Sequence, residues 1–232
     1  MASHTPHPYY PRMLILDHYV PNELTTIEIL ILLFSTFGVL ILGALFFSYQ
    51  KRQSSIVGVG QQLTFVWFVL SGFIHLFLEG YFSVRNRTLA GEQTLLAQTW
   101  KEYSLSDSRY LSSDSFVVIM ETITAFAWGP LAFYTAYAQY ADSPARYIAQ
   151  LILSLGQLYG DILYYLTTIY EGMPHCDPHP YYTYFYFGFF NMFWIIIPLV
   201  LIHNSVKNLY RGMTIAQAAK TTSKSVKTKK TN

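Results

Sequence analysis

The sequence predicts an all-α membrane protein: a five-transmembrane-helix bundle with an intramembrane ligand cavity. Three observations lead there. Of its 232 residues, 52% are hydrophobic, 18% aromatic and only 12% charged, where a soluble domain carries about 25% charged residues. Five stretches approach the ~20 apolar residues of helix that a bilayer core of roughly 30 Å requires. The few ionisable residues inside those stretches recur at helical spacing, so they gather on inward faces where lipid need not satisfy them.

Residues 29–49 carry no charge and form the first span, ended by Lys51 and Arg52. Residues 63–82 form the second, apolar apart from His75 and Glu79. The polar stretch 83–115 is expected to be a loop with a short interfacial helix at 95–103. Residues 116–140, with Glu121, form the third span, and Asp142-Ser143-Pro144 is turn chemistry. Residues 147–170, with Asp161, form the fourth. A second loop over 172–180 holds Pro174, Pro178 and Pro180, and residues 181–202 form a fifth, aromatic and uncharged span. The domain reading is a lumenal N-terminal segment at 1–28, a five-helix transmembrane domain at 29–206, and a basic flexible cytosolic tail at 207–232.

Charge supports that orientation. From Lys207 onward there are seven basic residues and no acidic one, whereas the rest of the chain carries a net charge of −5. Lys51, Arg52, Arg146 and the tail fall on one side, which the positive-inside bias makes cytosolic. Arg85, Arg87, Lys101 and Arg109 in the 83–115 loop oppose this count. The end, Lys229-Lys230-Thr231-Asn232, resembles a cytosolic retrieval signal for the endoplasmic reticulum. A basic tail after a membrane span fits a side marker better than a nucleic-acid arm. The first residues lack the basic flank and apolar core of a cleavable signal. A single cysteine, Cys176, excludes an intramolecular disulfide framework and a Cys-based zinc site. No internal repeat is present, which disfavours an inverted-repeat transporter.

A charge at mid-bilayer costs about 2.5–3.5 kcal/mol on insertion scales, so each ionisable residue there needs a reason. His75 and Glu79 are four apart and share one helical face. Glu121, Thr124 and Trp128 follow a three-then-seven stripe, as do Asn191, Trp194 and Pro198. Gln150, Ser154, Gln157 and Asp161 make a fourth stripe, read here as interhelical packing alongside a close-packing Gly156/Gly160 pair. The loop from His175 to His179 is read as interfacial filler rather than a metal site. Two carboxylates and an imidazole are costly as mere glue, and no intramembrane Lys or Arg neutralises them. His75, Glu79 and Glu121 are therefore the candidate functional group. An aromatic wall beside them suits an apolar ligand that is, or becomes, positively charged.

The stretches around these residues resemble the emopamil-binding protein family, the sterol Δ8–Δ7 isomerases. They are Gly72 to Gly80 with His75 and Glu79, Trp100-Lys-Glu-Tyr103, Asp107-Ser-Arg109-Tyr110, Met120 to Ala125, Trp128-Gly-Pro130, Gly156 to Asp161, and Asn191-Met-Phe-Trp194 leading to Pro198. His7-Pro8-Tyr9 and Val20-Pro21-Asn22 fit the same resemblance. It implies a multi-pass enzyme of the endoplasmic reticulum membrane, a homodimer, that moves the sterol B-ring double bond from C8–C9 to C7–C8 without metal or redox cofactor. It implies proton transfer by His75, Glu79 and Glu121, with Glu121 foremost, carbocation stabilisation by Trp194, and orientation of the acids by Thr124 and Asn191. Sterols, amphiphilic cationic amines and membrane lipid are the implied partners, and no nucleic acid. The fold is shared with relatives not known as isomerases, including sigma-2-receptor-like proteins, so a non-catalytic sterol- or amine-binding protein is the alternative reading.

Overall fold

The structure is a computed structural model that describes residues 6–51 and 58–230. It is helical throughout, with no strand among the described residues. Helix α1 spans Thr26–Gln50; a capping box starts it, with the Thr25 N–H donating to Glu28 Oε2 (2.8 Å) and the Glu28 N–H to Thr25 Oγ1 (3.3 Å). Helix α2 spans Val59–Arg85, α3 Leu95–Tyr103, α4 Ser115–Tyr140 and α5 Ala145–Tyr170. Helix α6 begins as a wide-turn segment, Tyr181–Phe190, and continues as Asn191–Lys230. Thr94 and Asp114 cap α3 and α4, each accepting from the backbone N–H three residues on. Arg52 and the last two residues of the retrieval-like ending lie outside the described residues.

Among the described residues, four helices are long and apolar enough to cross a membrane: Thr26–Gln50, Val59–Arg85, Ser115–Tyr140 and Tyr181–Thr222. Helix α5 has the length, at 26 residues, but carries Arg146, Gln150, Gln157 and Asp161. Its polar face is turned inward, for Gln150, Ser154, Gln157 and Asp161 are all buried. The final helix does not stop near residue 202, where the apolar run ends. Its backbone hydrogen bonds continue to Lys230 through an Ala-, Lys- and Thr-containing segment that tolerates helix without apolar burial.

Helices α2 and α4 meet at close range, and glycine permits it. A Cβ at Gly72 would come within 2.9 Å of the Phe133 ring, and one at Gly129 within 3.1 Å of the Leu76 backbone. Both helices widen into π-turns beside this crossing, over Ile74–Glu79 and Thr124–Trp128. Helix α5 lies along α6, while α1 packs on α2 and α3.

The loop expected over 83–115 contains the short helix α3 and forms an ordered lid over one end of the bundle. The chain before α1 is tied to it. Lys101 Nζ donates to the Val20 carbonyl (2.8 Å), Gln98 Oε1 accepts the Glu23 and Leu24 N–H groups (2.9 and 2.8 Å), and Val20 N–H donates to Ala90 O (2.9 Å). Tyr9, Leu16 and Tyr19 pack with Phe82, Leu89, Trp100 and Tyr110 into one core. Three of the four basic residues that opposed the charge count are engaged in this lid. Arg109 grips Asp107 with Nε at 3.0 Å and Nη2 at 2.7 Å, Arg85 pairs with Glu92 at 2.5 Å, and Lys101 is fully buried.

Candidate active site

Beneath the lid, α1, α2, α4, α5 and α6 surround a cavity of about 630 Å³, a size that suits a small-molecule ligand. Leu30, Leu33, Phe37 and Ile41 of α1 make one apolar wall, and Phe190, Trp194 and Ile197 of α6 another. The opposite wall is polar: His75, Glu79, Glu121, Gln157 and Asp161. No Lys or Arg lines it among the described residues. Negative charge that develops there therefore meets no fixed cation, and a cationic ligand or intermediate gains most from the site.

The π-turn of α2 carries both members of the first pair. His75 Nδ1 lies 2.8 Å from Glu79 Oε2, and its Nε2 lies 2.9 Å from Gln157 Nε2 of α5. With the amide so oriented, Gln157 donates to Nε2, so the proton of a neutral imidazole sits on Nδ1 and is donated to Glu79. His75 is 2% exposed and Glu79 8%, so water does not compete for these bonds. A carboxylate hydrogen-bonded to an imidazole in this way can pass a proton along the pair.

Glu121 of α4, 5% exposed, stands near Glu79 and, farther away, Asp161. Its carboxyl accepts a 2.5 Å hydrogen bond from Tyr110 OH. Tyr110 belongs to the lid, in the short turn Ser108–Tyr110 held by the Asp107–Arg109 pair. The ring stacks on Trp100 at 4.7 Å, and Trp100 Nε1 donates to Leu78 O at 2.9 Å, one residue before Glu79. The lid thus reaches the Glu121 carboxyl and the backbone beside Glu79, and burial of Arg109 and Asp107 is tolerable because they form a bidentate pair with further hydrogen bonds.

Trp194 stands 4.9 Å from the His75 ring and 4.7 Å from Trp67, between the imidazole and the apolar wall. Thr124 and Asn191 also line the cavity but do not hydrogen-bond either acid. The Thr124 hydroxyl donates to Met120 O (2.9 Å), the back-bond a threonine makes inside a helix. Asn191 Nδ2 donates to Tyr103 OH (3.0 Å) and to Phe187 O (2.8 Å). Tyr110 takes that place on Glu121, and Gln157 orients the His75 ring instead. Trp128 departs from the stripe that sequence spacing assigns it: the π-turn rotates it onto Gly156, where a Cβ would stand 2.6 Å from its ring. Gly160 is not packed as the close-packing pair implied; nothing lies within 4 Å of its Cβ position, and it leaves space in the cavity.

No group of three or more His, Cys, Asp or Glu side chains is placed to hold a metal among the described residues. The imidazole and carboxyl groups of the wall can transfer protons, and the aromatic and acidic lining can stabilise a cation.

Residues 95–205 match the family profile described as EXPERA (EXPanded EBP superfamily). The mouse 3-beta-hydroxysteroid-Delta(8),Delta(7)-isomerase is 46% identical over 211 residues, covering 90% of this chain and 91% of its own. The rat protein of the same name is 45% identical over 88% of each chain. The guinea-pig protein, again of that name, is 43% identical over 88% of this chain and 89% of its own. Agreement of that extent, running through the lid and the helices that carry the polar wall, places the chain in the emopamil-binding protein family.

Proposed function

We propose that this chain is a sterol Δ8–Δ7 isomerase that moves the B-ring double bond from C8–C9 to C7–C8. The observation that carries the reading is the group His75, Glu79 and Glu121 on the wall of an otherwise apolar cavity. The relatives' name, a 3-beta-hydroxysteroid isomerase, supports the same chemistry. A proton is added at C9, the π-electrons of the C8–C9 bond form the new C–H bond, and C8 becomes cationic. Loss of a proton from C7 returns its bonding pair to form C7=C8. One proton enters and one leaves, so no oxidant, reductant or metal enters the balance.

The site supplies what each step needs. Glu121 and the His75–Glu79 pair provide a donor and an acceptor side by side, as two carboxyl groups in different surroundings can. Trp194 turns its ring toward this group and stabilises the C8 cation through its quadrupole, worth up to about 2 kcal/mol or more when water is excluded. An amphiphilic amine that carries its positive charge permanently would occupy the same place. Tyr110 holds the Glu121 carboxyl, and Gln157 holds the His75 ring.

The wider reading is a multi-pass protein of the endoplasmic reticulum membrane, with α5 as a fifth span, the tail cytosolic and two copies associated. It is supported by the inward polar face of α5, the basic ending and the family resemblance. Incubation of purified protein with a Δ8 sterol in deuterated water tests the activity. Δ7 sterol labelled at C9 is the expected product; tight binding with unlabelled substrate recovered would replace the enzyme by a sterol- or amine-binding protein.

A further inference from the structure

Asp161 is a buried acid that the reaction above does not use. It is 8% exposed, lines the cavity, and forms no hydrogen bond or ion pair among the described residues; its Oδ2 is fully enclosed and unpartnered. A carboxyl group in that condition costs free energy that a native fold does not spend without return. The other carboxyl groups that line the cavity are engaged, and a further enclosed, unpartnered acceptor, Gln157 Oε1, belongs to the amide that already holds His75. Glu102 accepts from Thr26 Oγ1 (3.1 Å) and Tyr186 OH (3.2 Å), Glu121 from Tyr110, and the Gln157 amide is fixed on His75. The Trp67 N–H is also unpartnered, but it can only donate, and its ring stands against the far side of Trp194.

Position adds a second constraint. Gln157 touches the imidazole, and Asp161 follows it by four residues on the same buried face of α5. That places its carboxyl about one helical turn, ~5.4 Å, farther along the cavity. In a sterol the oxygen on C3 and the carbon C8 stand a comparable distance apart, across the fused A and B rings. A rigid ring system with C8 at the proton-transfer group can therefore bring a C3 hydroxyl to Asp161. Gly160, with nothing near its Cβ position, leaves the neighbouring surface of the helix open to the ring.

We propose that Asp161 accepts a hydrogen bond from the C3 hydroxyl of the sterol and thereby sets the register of the B ring against His75, Glu79 and Glu121. The inference rests on the isomerase reading and assigns the group that selects a 3-hydroxysterol. Binding a buried hydroxyl through a dedicated acceptor rejects analogues without that hydroxyl far more strongly than apolar fit alone does.

The test compares a 3β-hydroxy Δ8 sterol with its 3-deoxy counterpart, in kcat/KM and in Kd, for the wild type, Asp161→Asn and Asp161→Leu. Wild type should prefer the hydroxysterol by about 100-fold or more. In Asp161→Leu the ratio should fall to within a few-fold of one, with the larger loss falling on the hydroxysterol. Asp161→Asn keeps shape and one acceptor oxygen but loses the second, so its ratio should be intermediate; it also carries the comparison if the leucine variant fails to fold. A purely structural role would depress both substrates together and leave the ratio where it was. An unchanged ratio in both variants, or a wild type indifferent to the hydroxyl, overturns the assignment. Wild-type protein that binds the pair selectively but isomerises neither overturns the isomerase reading instead, and the Kd ratios still decide Asp161.

Discussion

At the scale of single residues, the site is a proton-transfer group held in place by Tyr110 on Glu121 and Gln157 on His75. Glu121→Gln is the cleanest probe, because the glutamine carbonyl still accepts the Tyr110 hydroxyl that lies 2.5 Å from Oε1. The fold should survive, and turnover should fall by about 10²–10⁴-fold, the usual contribution of a general acid or base. Turnover at the wild-type level would remove Glu121 from the reaction. Trp194 is tested as a series. Replacement by Phe and then Leu should lower kcat progressively while KM changes little, since the cation exists only near the transition state. A protonated tertiary amine should lose affinity in the same order, with a neutral sterol ligand as the control for packing. Equal loss for charged and neutral ligands would reduce Trp194 to a wall. His75 and Glu79 were legible from the sequence because a spacing of four survives the π-turn and still brings the pair to 2.8 Å. Tyr110 was not, since a loop tyrosine 11 residues from its acid partner carries no periodic signal. Gln157 lay on a stripe that the sequence does show, but spacing on one helix does not say which neighbouring helix the stripe meets.

At the scale of elements, the helices were legible and their local windings were not. Apolar length and turn chemistry locate α1 to α5, and Leu95 to Tyr103 forms the expected short helix. The π-turns are set by how α2 and α4 cross at Gly72 and Gly129, a tertiary demand that propensity does not encode, and they displace Trp128 from its expected face. The lid was read as a polar loop, yet it buries Lys101 and Arg109 completely enough that their charges need partners. Lys101 provides a pH test of that burial. Desolvation lowers its pKa from 10.5 to about 8, against the opposing pull of Glu23 and Glu92. Between those values the unfolded chain binds a proton that the folded chain lacks, so unfolding free energy rises with pH across the window, by at most ~1.4 kcal/mol per pH unit. Below about pH 8 both states are protonated and the contribution is flat. Thermal unfolding in detergent should therefore show a more positive slope from pH 8 to 10 for the wild type than for Lys101→Met. Lys101→Met is expected to be less stable at every pH, since the Val20 carbonyl loses its donor. Parallel slopes would show that the ammonium is solvated in the folded protein.

At the scale of the whole molecule, the proposed orientation, with the lid lumenal and the tail cytosolic, rests on how the basic residues are distributed between the two ends of the bundle. The positive-inside rule counts charges that remain exposed near the ends of the spans, and the structure changes that count. Lys101 and Arg109 are buried in the lid and Arg85 is held by Glu92, so of the four opposing charges Arg87 is the exposed, unengaged one. At the other end, Lys51 Nζ reaches the Tyr140 carbonyl at the C-terminus of α4 (2.6 Å), and Arg146 pairs with Asp142 in the turn that follows. Those residues gather at one end of the bundle, and the lid covers the opposite end, with the N-terminal segment tied to it. Orientation with the lid in the lumen is the arrangement we propose, because it puts Lys51, Arg146 and the basic tail on the cytosolic side. Trypsin added to sealed microsomes should then remove an epitope placed after Asn232 without detergent. An epitope placed before Met1 should persist until the membrane is opened, because it lies with the lid. Early loss of the N-terminal epitope and protection of the C-terminal one would invert the bundle, and would show that Lys51, Arg146 and the basic tail do not decide its insertion.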